Sequence, residues 1–570
     1  MKKRTFWILA AGLVAVAIGA AAVGVVALMF SSGSSGSWTG RRYLSLHLGD
    51  AIPDQPPPDL GPLFGASRPT LSTLVASIDR AAADPDVSGL SVRVTPLLDS
   101  GWGKVQELRA ALERFRQSGK PAYAHLSYAG NREYYLATAC TKVYALPTAM
   151  VAVSGLAAEV TFFRETLDKV GVQAQFEGVG KYKNAPNQYT ETSFTEPHRE
   201  QMDALLDSLH AQFVAAIAEG RGLAPEQVQG VIDGGPYDAQ EALERGLVDE
   251  LLYEDEVDEQ LEADASRTTP GRYLRGGRRF RLGGYPRIAV VYAVGEIVPG
   301  GSDSGLFGTF AGSDTVSRAL EQAADDDAVR GILFRVDSPG GVGSAADEIW
   351  RAVSQAKRSK PVVVWMGDAA ASGGYYVAMA GDAIVAQPGT ITGSIGVFSG
   401  KLSMRGLYDK IGLRKEILTR GRHAALFSDY RPWDDSERAR IRSMNEAFYR
   451  DFVTKAAEAR GMSYDELHAL AQGRVWTGEE AHSRGLVDQL GGFREALALL
   501  REKARLGAEE PVELIVVPEP KGLFELLFEQ PEEASIATAL PAELRSALGW
   551  MRLLGEGVPL ARIPYGLRLR

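Results

Sequence analysis

The stretch SRGLVDQL at residues 483–490 is a near copy of ERGLVDEL at residues 244–251. Long-range self-similarity of this kind marks a duplicated unit, so the search for further pairs decides the architecture. DKIGL (409–413) matches DKVGV (168–172), and DAVRGILFRV (327–336) matches PDVSGLSVRV (85–94). KPVVVWMGDAAASGGYYVAMA (360–380) matches KPAYAHLSYAGNREYYLATA (120–139). The order is the same in both sets and the spacing differs by only a small length change. The chain therefore carries two copies of one domain.

Within each copy, strand-like runs alternate with stretches of helical period. In the second, RIAVVYAVG (287–295), VRGILFRVDS (329–338) and KPVVVWMG (360–367) are short apolar runs. Between them, DTVSRALEQAADD (314–326) and SAADEIWRAVSQAKRS (344–359) place apolar residues at helical spacing. This alternation, with short Asp/Gly/Pro loops, predicts an α/β fold with largely parallel strands. The acidic ADPD (83–86) and ADDDA (324–328) sit at matching places and read as solvated loops. The basic, glycine-rich TTPGRYLRGGRRFRLGG (268–284) has no apolar period and reads as the linker. The division expected is 39–267 for the first copy, 285–506 for the second and 507–570 for a C-terminal extension.

Composition narrows the function. The 570 residues are 45% hydrophobic and 24% charged, ordinary for a globular chain, and the net charge of -10 argues against broad nucleic-acid binding. One cysteine, Cys140, and seven scattered histidines assemble no metal-ligand spacing, so neither metal nor cofactor is expected. GVGKYK (178–183) lacks the spacing and the Ser/Thr of a phosphate loop. At the N-terminus, Lys2, Lys3 and Arg4 precede an almost wholly apolar run from Phe6 to Phe30, with no further charge until Arg41. A run of that length reads as a membrane-spanning helix whose basic end stays cytoplasmic, so residues 1–38 are expected to be tail, anchor and tether. The competing reading is a cleaved signal peptide, for which IGAAAVG (18–24) offers small residues.

The copies differ where chemistry is expected. Aligning Tyr134/Tyr135 with Tyr375/Tyr376 sets Asn131 opposite Ser372, and aligning Gly180 with Gly421 sets Lys183 opposite Ala424. Each copy has lost what the other kept, which points to one site drawing Ser372 from the second copy and Lys183 from the first. A serine hydroxyl needs an adjacent base, and a lysine serves as one only when burial strips its charge. A solvated loop lysine is the bland alternative. Gly340, Gly341 and Gly373 allow backbone N–H groups to approach an oxyanion, or else simply make turns. Ser394 is either a hydroxyl that orients the lysine or a turn residue, and His423 competes with Lys183 as the base.

Together RVDSPGG (335–341), MGDAAASGGYY (366–376), TGSIGVF (392–398), YKNAP (182–186) and GRVWTGEEAHSRGLVDQLG (473–491) resemble the long, duplicated form of the signal peptide peptidase A family, peptidase family S49. The resemblance implies tandem crotonase-like, Clp-protease-like domains behind an N-terminal transmembrane helix. It also implies a bacterial inner-membrane, single-pass serine protease with its body on the periplasmic side. By motif, Ser372 is the implied nucleophile, Lys183 the general base, Ser394 the lysine's orienting hydroxyl, and Gly341 and Gly373 the oxyanion donors. Apolar peptides such as remnant signal peptides are the implied substrates, and a dome-like homotetramer the implied assembly. Asn184 stands where the family often has serine, and Asp368 where it has glycine. KGLFELLFEQ (521–530) and ELRSALGWMRLLGEG (543–557) read as amphipathic helices. The rival functions are a non-catalytic, membrane-anchored oligomeric scaffold and, against the N-terminal span, a crotonase-like acyl-CoA enzyme.

Overall fold

The structure, a computed structural model, describes residues 40–56, 68–98, 100–262, 265–275, 284–305, 308–519, 560–562 and 568–569. The expected transmembrane run and the two amphipathic stretches of the extension lie outside these residues. No helix among the described residues is long and apolar enough to cross a membrane.

Each copy folds around a mainly parallel sheet. In the first, the strand order is Tyr237–Asp238, Lys142–Val151, Ala122–Ala129, Val87–Val94, Arg41–Leu48 and Ala265–Thr268. In the second it is Val475–Thr477, Ile391–Gly393, Val362–Ala371, Val329–Ser338, Arg287–Val294 and Glu513–Val517. The two orders correspond strand for strand, including the outermost parallel strand of each. The repeat thus runs past both expected boundaries. Part of the stretch expected as linker belongs to the first copy: the helix Pro270–Arg275 packs on the helix Leu71–Ala83, and Tyr273 OH donates to Asp84. The two acidic clusters terminate helices whose carbonyls are gripped by a lysine. Lys120 donates to Ala81 and Asp84, and Lys360 to Ala323 and Asp326.

The second sheet is buried on both faces, which is why its strands read as unbroken apolar runs rather than alternating ones. Side chains alternate between faces along a strand. Ile332, Phe334, Val336, Val362, Val364 and Met366 join the second copy's own core. Ile288, Val290, Leu333, Val363 and Trp365 join a core shared with the first copy. The helices Trp102–Gln117 and Phe493–Lys503 cover that shared face.

A third, mixed sheet crosses from one copy to the other. Its order is Asp303–Gly305, Gly308–Gly312, Glu296–Val298, Gly340–Val342, Leu560–Arg562, Val397–Ser403 and Gln173–Val179. The last strand belongs to the first copy, and it pairs antiparallel with the second from Val397↔Val179 to Ser403↔Gln173. This pairing carries a loop of the first copy into the second.

Candidate active site

Ser372 stands where the strand Val362–Ala371 turns into the helix Gly373–Ala378. Its backbone holds φ 57° and ψ −114°, a conformation that non-glycine residues seldom adopt, and its side chain is fully buried. The turn is fixed on both sides: Ser372 N–H donates to Gly393 O at 2.8 Å, and a Cβ on Gly374 would come within 2.5 Å of the Ser338 carbonyl. The small residues after the serine let this turn press against the DSPGG loop.

Lys183 arrives just beyond the cross-copy strand Gln173–Val179. After Gly180, at φ 106°, Tyr182 N–H donates to Gln472 O at 2.9 Å. Gly473 N–H donates to Ile395 O at 2.8 Å and Ser394 N–H to Arg474 O at 2.7 Å. Residues 472–474 therefore clamp both the lysine loop and the Ser394 turn. A Cβ on Gly473 would lie 2.6 Å from Lys183 N, so only glycine leaves room for the lysine backbone.

The clamp brings three predicted residues together. Lys183 Nζ lies 2.7 Å from Ser372 Oγ, 3.0 Å from Ser394 Oγ and 3.1 Å from the Ser394 carbonyl. Lys183 is only 6% exposed. Burial pushes its ammonium well below the ordinary value of 10.5, because the site withholds the hydration that the charge requires. The geometry sets a hydroxyl beside a desolvated amine, with Ser394 supplying two of the amine's three contacts.

Gly341 and Gly373 fall on either side of the serine. Gly373 opens the helix after Ser372, in the first turn where N–H groups have no intrahelical acceptor. Gly341 lies on the strand Gly340–Val342, which packs on that helix. A Cβ on Gly341 would fall 2.0 Å from the Ile297 carbonyl, so this strand position also admits only glycine.

His423 does not join the group. Its ring meets Ser436 Oγ at 2.9 Å, whereas the amine beside Ser372 Oγ is that of Lys183. Asn184 is buried and accepts a bond from Asn187 Nδ2. Asp368 lies in a cluster between the copies, accepting from Gly101 N–H at 2.7 Å and Lys104 N–H at 2.8 Å.

The first copy retains the outline of the same site without its chemistry. Tyr134 OH donates to Leu247 O and Tyr375 OH to Leu486 O, confirming the alignment that sets Asn131 opposite Ser372. Asn131 Nδ2 donates to Gly155 O, and its Oδ1 accepts from Ser154 N–H. An amide there pins the loop next to Val153, the counterpart of Ser394, in place of a hydroxyl beside a base.

A buried serine at a strand-to-helix turn, with a lysine amine at its hydroxyl and glycine-rich backbone about it, is the kind of arrangement that nucleophilic chemistry uses. Two regions, 114–267 and 354–507, match the family described as Peptidase family S49. The chain belongs to that family and is a serine protease. It is similar to the chloroplastic serine protease SPPA of Arabidopsis thaliana, 34% identical over 467 residues that cover 80% of this chain and 68% of that one. It is similar also to Protease 4 of Salmonella typhi, 30% identical over 565 residues, covering 93% and 90%. A solved ClpP1 mutant from Listeria monocytogenes aligns with 36% of this chain and 94% of its own at 17% identity, with a TM-score of 0.24.

Two features had no signal in the motifs. One is a set of buried charges joining the copies: Lys104 Nζ meets Asp54 at 2.6 Å, Asp337 at 3.3 Å and Asp368 at 3.6 Å, while Arg335 meets Asp54 at 2.6 Å. The Arg335 guanidinium also stacks 4.0 Å over the Trp365 ring. The other is the strand Leu560–Arg562, which lies beside Gly341.

Proposed function

We propose that the chain is a membrane-anchored endopeptidase that hydrolyses apolar peptides, such as remnant signal peptides, through a Ser-Lys dyad split between its two copies. The observation that carries this reading is the 2.7 Å approach of Lys183 Nζ to Ser372 Oγ in a buried site. Neutral Nζ takes the hydroxyl proton as Oγ attacks the peptide carbonyl. The N–H groups of Gly341 and Gly373 receive the negative charge that develops on the carbonyl oxygen. The protonated lysine then returns its proton to the departing amine, and water, activated by the same amine, releases the acyl group from Ser372. Ser394 holds Nζ in line throughout.

One feature supports the apolar substrate. A row of aromatic rings leads toward the strand that borders the site: Phe163 lies 5.9 Å from Tyr189, Tyr189 lies 6.0 Å from Phe176, and Phe176 lies 5.9 Å from Phe398. The N-terminal apolar run supplies the anchor, placing the body on the periplasmic side of a bacterial inner membrane. The assembly proposed is a homotetramer. Hydrolysis of a fluorogenic apolar peptide ester tests the reading: Ser372→Ala and Lys183→Ala are each expected to lose it, and retention by either folded variant would refute the dyad.

A further inference from the structure

Arg474 holds two sides of the lysine's surroundings at once. Its carbonyl accepts from Ser394 N–H at 2.7 Å, fixing the turn whose hydroxyl and carbonyl meet Lys183 Nζ. Its guanidinium reaches the other way, to Tyr182, the residue before the lysine. There it lies 4.8 Å from the centre of the tyrosine ring, and Nη1 donates to the Tyr182 hydroxyl at 3.0 Å. Tyr182 OH in turn donates to the Glu200 carboxylate at 2.8 Å, and Arg474 Nη1 meets the same carboxylate at 2.7 Å. The Trp476 ring backs the guanidinium at 4.5 Å. Glu200 belongs to the helix Glu196–Arg221 of the first copy, whose Gln201 Oε1 also accepts from Val475 N–H at 2.8 Å. One side chain of the second copy is therefore locked onto the two residues of the first that flank the lysine loop.

Glu200 is half exposed, so its ion pair with Arg474 adds little to stability. What the group fixes is direction, because a planar guanidinium constrains its partners through both its fork and its face. The duplication supplies an internal comparison. Asp238 and Thr477 cap matching helices after matching short strands, which sets Gly235 opposite Arg474. The helices Glu196–Arg221 and Asp435–Arg460 are both 26 residues long and end at Gly222 and Gly461, which sets Ala439 opposite Glu200. His423 stands opposite Tyr182. Gly235 and Ala439 carry no polar side chain, so the reciprocal group cannot form. The locked trio is present only where Lys183 is. We propose that Arg474 is a positioning residue for Lys183: through Tyr182 and the Ser394 turn it holds Nζ on Ser372 Oγ, and so governs turnover rather than substrate binding. The inference rests on the proposed peptidase reading.

The test compares hydrolysis of a fluorogenic apolar peptide ester by the full chain, by Arg474→Ala, Arg474→Lys and Tyr182→Phe, and by the double variant Arg474→Ala/Tyr182→Phe. Arg474→Ala is expected to lower kcat about 10²-fold with KM within about twofold of the parent, since a displaced base impairs proton transfer and not the grip on the ground state. Arg474→Lys keeps the charge but loses the fork and the flat face, so it is expected to stay impaired by about tenfold or more. The double variant is expected to fall little below Arg474→Ala, because both changes act through one group. Amide hydrogen exchange across residues 180–184, read by mass spectrometry, is expected to be about tenfold faster in Arg474→Ala than in the parent. Parent-like kcat in Arg474→Ala, full recovery in Arg474→Lys, or unchanged exchange would overturn the proposal. A parent chain inactive on the ester, with exchange raised as expected in Arg474→Ala, would sustain the positioning contact and instead remove the peptidase reading.

Discussion

Lys183 sets the terms of the chemistry at the residue scale. Its amine is useful because burial makes the charged form unfavourable, and the same burial costs stability. The unfolded chain holds the lysine proton up to about 10.5, whereas the folded chain releases it well below that value. Between the two values the unfolded state binds more protons, so stability rises with pH across that window. Lys183→Met should therefore raise the thermal midpoint at neutral pH by an amount that fades as pH approaches 10.5, while lowering kcat by about 10²- to 10⁴-fold. Calorimetry across pH, paired with turnover, checks both halves; a variant less stable than the parent would contradict the buried neutral amine. Gly473 is the second residue on which position depends. A methyl group there displaces the lysine backbone, and Gly473→Ala is expected to cost about 10²-fold in kcat by misplacing Nζ. Far-UV circular dichroism would confirm that the fold survives.

Asn131 and Ala424 show why this scale is legible in the sequence. Duplication supplied an internal comparison, and complementary losses singled out Ser372 and Lys183. The strain at Ser372 was not legible, since a φ of 57° is a property of the turn rather than of any motif. Nor was the role of Gly473, which lies far from Lys183 in sequence and meets it only through the clamp.

At the scale of elements, the helix Trp102–Gln117 of the first copy lies against the strand Val362–Ala371 of the second, and buried charges fasten the contact. Lys104 is shared among three carboxylates. Its closest partner, Asp54, is held down to about 2 by Arg335 and Lys104 despite burial. Asp337 is pushed up to about 7 by burial and the neighbouring Asp54 and Asp368 charges, with Lys104 opposing only in part. Because the folded state holds the Asp337 proton more tightly than the unfolded one, this group's contribution falls as pH rises from 3.8 to about 7. Asp54 acts in the opposite sense between about 2 and 3.8. Removing the shared cation leaves carboxylates buried together, so Lys104→Met should cost about 3–5 kcal/mol, read as a lower urea midpoint. Asp337 Oδ1 also accepts from Ala369 N–H, three residues before Ser372, so the same variant should lower activity in the fraction that remains folded.

The alternation of strands and helices was readable because the unbroken apolar runs VVVWM (362–366) and GILF (331–334) stand apart from the helical-period stretches between them. What the runs concealed was their cause: the second face of the sheet is covered by the other copy. Single polar residues such as Arg335 and Asp368 interrupt apolar runs without announcing a partner. The outer strands Ala265–Thr268 and Glu513–Val517 are short; the first straddles the boundary expected at 267, and the second lies in the stretch expected as extension.

For the whole molecule, the strand Gln173–Val179 of the first copy joins a sheet of the second and brings Lys183 to Ser372, so the proposed chemistry needs both copies. The N-terminal apolar run predicts a chain that stays with membranes under carbonate extraction. Deletion of residues 1–38 should release it to the soluble fraction, and release of the intact chain would contradict the anchor. Relatives similar over most of this length fit a duplicated chain acting as one protein.

The measurement that bears most directly on the divided dyad is kcat/KM for a fluorogenic apolar peptide ester, taken side by side for the parent chain, Ser372→Ala, Lys183→Ala and His423→Ala. The account predicts loss in the two dyad variants, one from each copy, and activity within about twofold of the parent in His423→Ala, whose ring bonds Ser436 rather than Ser372. Activity retained by Lys183→Ala and lost in His423→Ala would contradict it and return the base to the second copy.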